Sequence, residues 1–98
     1  DLAACQAQLP RLLDELNRRM ARLDDGYRPD KPFVKVKFHD FSQTTLEQAG
    51  ASRDLDSYRL LLGSAFARGN KPVRLLGVGI RLIDLRGRHE QLELFTPI

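Results

Sequence analysis

Lys35 and Lys37 stand in the run Phe33-Val34-Lys35-Val36-Lys37-Phe38-His39-Asp40-Phe41, where apolar and polar residues alternate. A period of two is that of a strand with one buried face. Val34, Val36 and Phe38 fall on one side, and Lys35, Lys37 and His39 on the other. A sheet that packs one face and carries positive charge on the other can hold a polyanion, and that is binding chemistry, not covalent chemistry. A second alternating run, Val73 to Ile83, sends Leu76, Val78, Ile80 and Leu82 to the core side. Leu75, Gly77, Gly79 and Arg81 share its outer face, and Arg74 precedes them. Two glycines leave that face low, so a ligand or another backbone can approach it closely.

Other chemistries find no support in the residues. His39 and His89 are far apart, with no cysteine near either. Asp24-Asp25 is read as a solvated turn at a helix end. Gly77-Val78-Gly79 lies inside a strand and lacks the third glycine of a dinucleotide fingerprint. Cys5 has no neighbouring base or cation cluster to activate it. No set of nucleophile, base and oxyanion donors is present, so no catalytic, metal or cofactor residue is assigned. Ninety-eight residues allow one domain and one core. The net charge of +3 permits an acidic partner without requiring one. A single cysteine rules out an internal disulfide and fits a reducing, cytoplasmic setting. The longest apolar run is far too short to cross a membrane. The opening residues carry no leader-like pattern, which fits a cytosolic chain or a piece of one.

Around these residues the periodicity predicts two helices. Leu9, Leu12, Leu13, Leu16, Met20 and Leu23 form one stripe over residues 1–23, with Arg11, Asp14, Glu15, Arg18, Arg19 and Arg22 opposite. Pro10 either opens the main helix or joins it by a kink to a short turn over Leu2–Ala7, and the second arrangement is preferred. Gly26 is expected to cap the helix end in a left-handed conformation. Residues 27–32, punctuated by Pro29 and Pro32, read as a loop before the strand Phe33–Phe41. Residues 42–46 either continue that strand past a bend or return as a second one. Asp54 is the expected N-cap of a helix over Leu55–Arg68, with Leu55, Tyr58, Leu61, Leu62, Ala65 and Phe66 on its apolar side. The elements make an α+β two-layer sandwich, with two helices on one face of an antiparallel or mixed sheet.

These residues carry a resemblance. Val34-Lys35-Val36-Lys37-Phe38-His39-Asp40-Phe41-Ser42-Gln43-Thr44-Thr45 is similar to the strand signature of the little-finger (polymerase-associated) domain of bacterial DNA polymerase IV, in the Y-family of translesion polymerases. Arg74-Leu75-Leu76-Gly77-Val78 resembles that domain's last strand. Gln91-Leu92-Glu93-Leu94-Phe95 resembles the pentapeptide by which such polymerases bind the sliding clamp, the DNA polymerase III beta subunit. The likeness runs in order along nearly the whole chain. It implies residues 1–84 as the little-finger domain and residues 85–98 as a tail with the clamp motif. The family's domain opens with a strand before its first helix, and this sequence starts after that point. The edge so exposed would invite dimers or strand swapping. The family's catalytic carboxylates and magnesium ions belong to a palm that this sequence does not contain. A chain of this extent is therefore expected not to polymerise DNA, and to need no cofactor of its own.

The resemblance also assigns sites. Lys35, Lys37, Arg74 and Arg81 are implied to neutralise phosphates of a primer-template duplex without reading its sequence. Ser42, Gln43, Thr44 and Thr45 would donate hydrogen bonds to the same backbone. Gln91, Leu92, Glu93, Leu94 and Phe95 would enter the clamp, with Leu92, Leu94 and Phe95 as apolar anchors. The residues alone leave other readings open. One takes the lysines as plain solvation on a module that binds only protein; another takes the face as a platform for single-stranded RNA, though only Phe33 is in register to stack a base; a third folds the C-terminal segment back as a strand over Arg88–Leu94.

Overall fold

The computed structural model describes residues 2–23, 25–48, 54–87 and 92–97. Helix α1 spans Leu2–Met20. Its buried stripe of Cys5, Leu9, Leu12, Leu13 and Leu16 lies on both sides of Pro10. The break expected at Pro10 therefore does not form. The proline removes one backbone bond, but it sits on the exposed side of the helix, and burial of Cys5 and Leu9 keeps the preceding turns in line. After Met20 the backbone tightens, with Arg22 N–H donating to Arg19 O and Leu23 N–H to Met20 O, both at 3.1 Å. Gly26 is not the left-handed cap, since Gly87 is the described glycine with positive φ. The Gly26 carbonyl instead accepts from Leu85 N–H at 2.8 Å.

Strand β1 covers Tyr27–Phe38, so the segment expected to be loop is already sheet. Its two prolines are tolerated because the register slips between Pro29 and Pro32, and an irregular stretch is where a residue without an N–H does least harm. The strand stops at Phe38, short of the expected Phe41, because residues 39–42 turn the chain. Phe38 N–H donates to Ser42 O at 2.8 Å, and Phe41 N–H donates to Phe38 O at 3.0 Å. Strand β2, Gln43–Glu47, then returns antiparallel to β1.

Helix α2 spans Leu55–Gly69. Asp54 caps it, accepting from Ser57 N–H at 2.8 Å, and Asn70, in the left-handed region, closes it with an N–H bond to Phe66 O. Strand β3 is Val73–Asp84 and β4 is Leu92–Pro97. The sheet order is β2-β1-β3-β4, antiparallel throughout. Strand β3 is thus paired on both sides, by β1 and by β4.

Helix α2 packs on β1 and β2, and α1 on β3 and β4. Between the layers lie Leu9, Leu12 and Leu16, Tyr58, Leu62 and Ala65, Val34, Val36 and Phe38, and Leu76, Val78 and Ile80. Burying each of the larger side chains stabilises the fold by about 1.5–3 kcal/mol. Tyr58 is the polar exception, and its hydroxyl donates to Gly79 O at 2.8 Å. With both helices on one side, the opposite face of the sheet is left without a covering layer.

Candidate nucleic-acid interface

Residues directly paired across an antiparallel sheet share a face, so the register assigns the open side rung by rung. One rung is Thr45, Lys35, Gly77 and Pro97; the next is Gln43, Lys37 and Leu75. Beyond Lys35 the rung is Glu47, Phe33, Gly79 and Phe95, followed by Arg81 with Glu93. Lys35 and Lys37 thus lie on the open side while Val34, Val36 and Phe38 are buried beneath the helices, as the alternation predicts. Lys35, Lys37, Gln43, Leu75, Phe95 and Pro97 surround a depression of about 180 Å³ over Gly77. That is room for a few water molecules or a group of similar size.

The structure separates the other expected backbone donors. Thr44 pairs with Val36 on the helix side, and its hydroxyl accepts from Arg68 Nη1 at 3.3 Å. Ser42 is held in the turn, with its hydroxyl donating to Asp40 Oδ1 at 2.5 Å and its N–H to the same oxygen at 3.0 Å. Arg74 stands at the start of β3, beside that turn. Gln43 and Thr45 remain in the same field as the lysines.

The glycines do not leave the face open in the way the sequence suggests. A Cβ on Gly79 would fall 2.2 Å from Phe33 Cζ, and one on Gly77 would fall 2.1 Å from Phe95 Cζ. The space the glycines vacate is filled by two aromatic rings of the chain itself. Phe33 and Phe95 stack at 6.0 Å with planes 10° apart. Phe33 is fully buried on the nominally open face, under Arg81 at 4.5 Å and Phe95. Lys35 Nζ lies 4.8 Å from the Phe95 ring centre. A partner of Phe33 two strands away on the same rung, but 62 residues later in sequence, leaves no local signal. Only the apolar character of Phe95 hinted at it.

Charge on this face is partly compensated. Glu93 of β4 accepts from Arg81 Nη1 and stands 3.9 Å from Lys35 Nζ. Lys31 pairs with Glu47 at 3.5 Å. Among the described residues, neither Lys37 nor Arg74 has a carboxylate within ion-pair distance. In the turn, Lys71 meets Asp40 at 2.5 Å. That bond, with those from Ser42, holds the Asp40 carboxyl well below the usual carboxylate range.

The C-terminal motif sits inside the sheet. Leu94 pairs with Ile80 and packs against the core, whereas Phe95 points to the open face. Arg19 of α1 fastens this strand, donating to Phe95 O at 2.5 Å and reaching Thr96 Oγ1 at 3.4 Å. Gln91 and the Leu92 side chain lie outside the described residues, as do Asp24, residues 49–53 and His89. Among the described residues no three His, Cys, Asp or Glu side chains converge on a point that could hold a metal ion. Burial pushes the Cys5 thiol up, away from the reactive thiolate. No helix is long and apolar enough to cross a membrane.

Residues 1–94 match the family described as the impB/mucB/samB family C-terminal domain. The chain is 79% identical over 97 residues to a protein named DNA polymerase IV from Pseudomonas putida strain GB-1, covering 99% of this chain and 27% of that protein. It is 78% identical over 96 residues to a DNA polymerase IV of Ectopseudomonas mendocina, covering 98% of this chain and 27% of that protein. With the Pseudomonas entomophila protein of the same name the identity is 74% over 98 residues, all of this chain and 28% of the relative. The chain therefore spans about a quarter of the length of the curated relatives it matches.

Proposed function

Since the chain belongs to the impB/mucB/samB family, as its C-terminal little-finger domain, we propose that it grips the sugar-phosphate backbone of primer-template DNA for a low-fidelity translesion polymerase. The observation that carries this reading is the shared open face of Lys35, Lys37, Gln43 and Thr45, with Arg74 and Arg81 at its margins and no helix over it. Cations on an uncovered sheet face, with no element to enter a groove, fit a phosphate rail better than they fit base edges, so the grip is independent of sequence. Each phosphate neutralised contributes about −0.9 to the slope of log affinity against log salt. Lys37 and Arg74 alone give about −2, and adding Lys35 and Arg81 gives between −3 and −4. Such binding is weak by itself and useful when the domain is tethered to other DNA-holding parts.

In the same reading, residues 91–95 recruit the polymerase to the sliding clamp. Leu94 and Phe95 point to opposite faces of β4, so engaging one apolar cleft with both requires the strand to leave the sheet. Its position at the sheet edge, with β3 as its strand neighbour among the described residues, lets it leave without breaking any other strand pairing. Nucleotide addition opposite damaged templates, with magnesium, is assigned to the longer protein and not to this chain.

The test is duplex binding by fluorescence anisotropy across a salt series. Lys37→Ala and Arg74→Ala should each lower the slope by about 0.9 without changing sequence preference. Unchanged affinity and slope in the double variant would reject the phosphate grip and favour a module that binds only protein. Preference for single strands over duplex would favour an RNA-type platform instead. Phe33, the best-placed aromatic for such a platform, is fully buried.

A further inference from the structure

Phe41 is an aromatic side chain left 63% exposed, and its backbone lies at φ 69°, a region that bulky residues avoid. The turn around it is over-determined. Phe41 N–H donates to Phe38 O at 3.0 Å, and His39 N–H donates to Pro72 O at 3.0 Å, which ties the turn to the segment entering β3. Asp40 accepts from the Ser42 amide and hydroxyl and from Lys71. A side chain held in a disfavoured backbone conformation, on the surface, by this many bonds invites a functional explanation.

Two cations lie over the ring. The Arg74 guanidinium lies 4.4 Å from its centre and Lys37 Nζ lies 5.5 Å from it. These are the two outer-face cations that have no carboxylate within ion-pair distance among the described residues. One comes from β1 and the other from β3, and among the described residues no other aromatic ring holds either of them.

We propose that Phe41 is a positioning residue of the DNA grip: its ring gathers Lys37 and Arg74 at the end of the sheet and presents both to neighbouring phosphates of one strand. This rests on the phosphate-gripping reading above. Long cationic side chains lose rotamer freedom when they bind. A ring that already orders them removes part of that loss before DNA arrives. An aromatic face suits the task, because it attracts cations through its quadrupole and occupies none of their N–H donors. The three donors of the lysine and the five of the arginine stay available to phosphate oxygens. A carboxylate in the same place would gather the cations equally well and cancel their charge.

The experiment is a double-mutant cycle on the 98-residue chain, with duplex affinity read by anisotropy at several salt concentrations. Circular dichroism and thermal melting check that each variant folds. Phe41→Ala and Phe41→Leu should each weaken duplex binding by about tenfold, the loss expected for two cations no longer pre-ordered. Phe41→Tyr should keep parental affinity, because the ring face is retained. On the Lys37→Ala/Arg74→Ala background, Phe41→Ala should cost nothing further. Parental binding by Phe41→Leu would overturn the proposal, since bulk alone would then suffice. An equal loss from Phe41→Ala with and without the two cations would overturn it too, since the ring would then touch DNA directly. If Lys37→Ala/Arg74→Ala itself binds like the parent, the phosphate grip fails and this proposal falls with it.

Discussion

Replacing Glu93 by glutamine should make the chain a tighter and more salt-sensitive binder of duplex DNA. Among the described residues, Glu93 is the carboxylate that engages two of the four candidate phosphate cations, accepting from Arg81 and lying 3.9 Å from Lys35. All three side chains are about one-third exposed, at 35% for Glu93, 35% for Lys35 and 33% for Arg81. They are within reach of a ligand but committed to each other. In the parent, DNA must compete with the carboxylate for both cations, so the effective contacts are Lys37 and Arg74, and the slope is about −2. The glutamine variant frees two more, and the slope should approach a value between −3 and −4. Raising salt from ~50 to ~200 mM should then cost the variant about ten times more affinity than it costs the parent. The fold should tolerate the change, because partly exposed ion pairs contribute only about 0.2–1 kcal/mol each, and the amide still accepts a hydrogen bond. The assay is anisotropy of a labelled duplex at four or more salt concentrations, with a urea melt as control. A parental slope in a folded Glu93→Gln chain would refute the reasoning, because it would mean that Lys35 and Arg81 either meet DNA already or never do.

Gly79→Ala should destabilise the fold by about 1–3 kcal/mol, the range for forced overpacking, because its Cβ would fall 2.6 Å from the Leu94 carbonyl as well as on Phe33; urea unfolding measures it. Asp54→Ala should cost about 1 kcal/mol through loss of the α2 N-cap, read by the same melt. Asp40 has a folded pKa below its unfolded value, through Lys71 first and Ser42 second, so its contribution is full above the ordinary carboxylate value near ~3.9 and is lost as pH falls from there toward the folded value. Asp40→Asn should accordingly flatten the acid side of a stability–pH curve. The double variant Leu94→Ala/Phe95→Ala should lose clamp binding in a pull-down, and clamp capture equal to the parent's would end the tail assignment.

What the sequence disclosed follows the range of the interactions involved. Strand faces were legible because alternation is local: Val34, Val36 and Phe38 are buried and Lys35 and Lys37 are not. The Asp54 cap was legible for the same reason. Three features escaped because a remote partner decides them. Pro10 is carried inside α1 by burial of Cys5 and Leu9 before it and of Leu12 and Leu13 after it, which local proline chemistry does not foretell. Residues 27–32 are strand because β3 is long enough to pair with them as far as Tyr27 opposite Asp84. Gly77 and Gly79 read as an open floor, yet rings from β1 and β4 fill it. Phe41 was passed over as the end of a strand, and its exposure appears only once the turn at residues 39–42 is seen.

The basic face and the C-terminal motif looked like separate devices when read along the chain. In the fold they share a strand. The same β4 that carries Leu94 and Phe95 also lays Glu93 beside Lys35 and Arg81, and it shields Phe33 with Phe95. Whatever draws β4 from the sheet therefore removes an anion from the open face in the same motion. By linkage, a partner that prefers the released strand and a duplex that prefers the freed cations must favour each other by the same factor. Glu93 carries the electrostatic part of that factor, since among the described residues neither Lys37 nor Arg74 has a carboxylate within ion-pair distance. The Glu93→Gln slope thus measures, without any clamp present, the electrostatic part of what release of β4 would add to the grip.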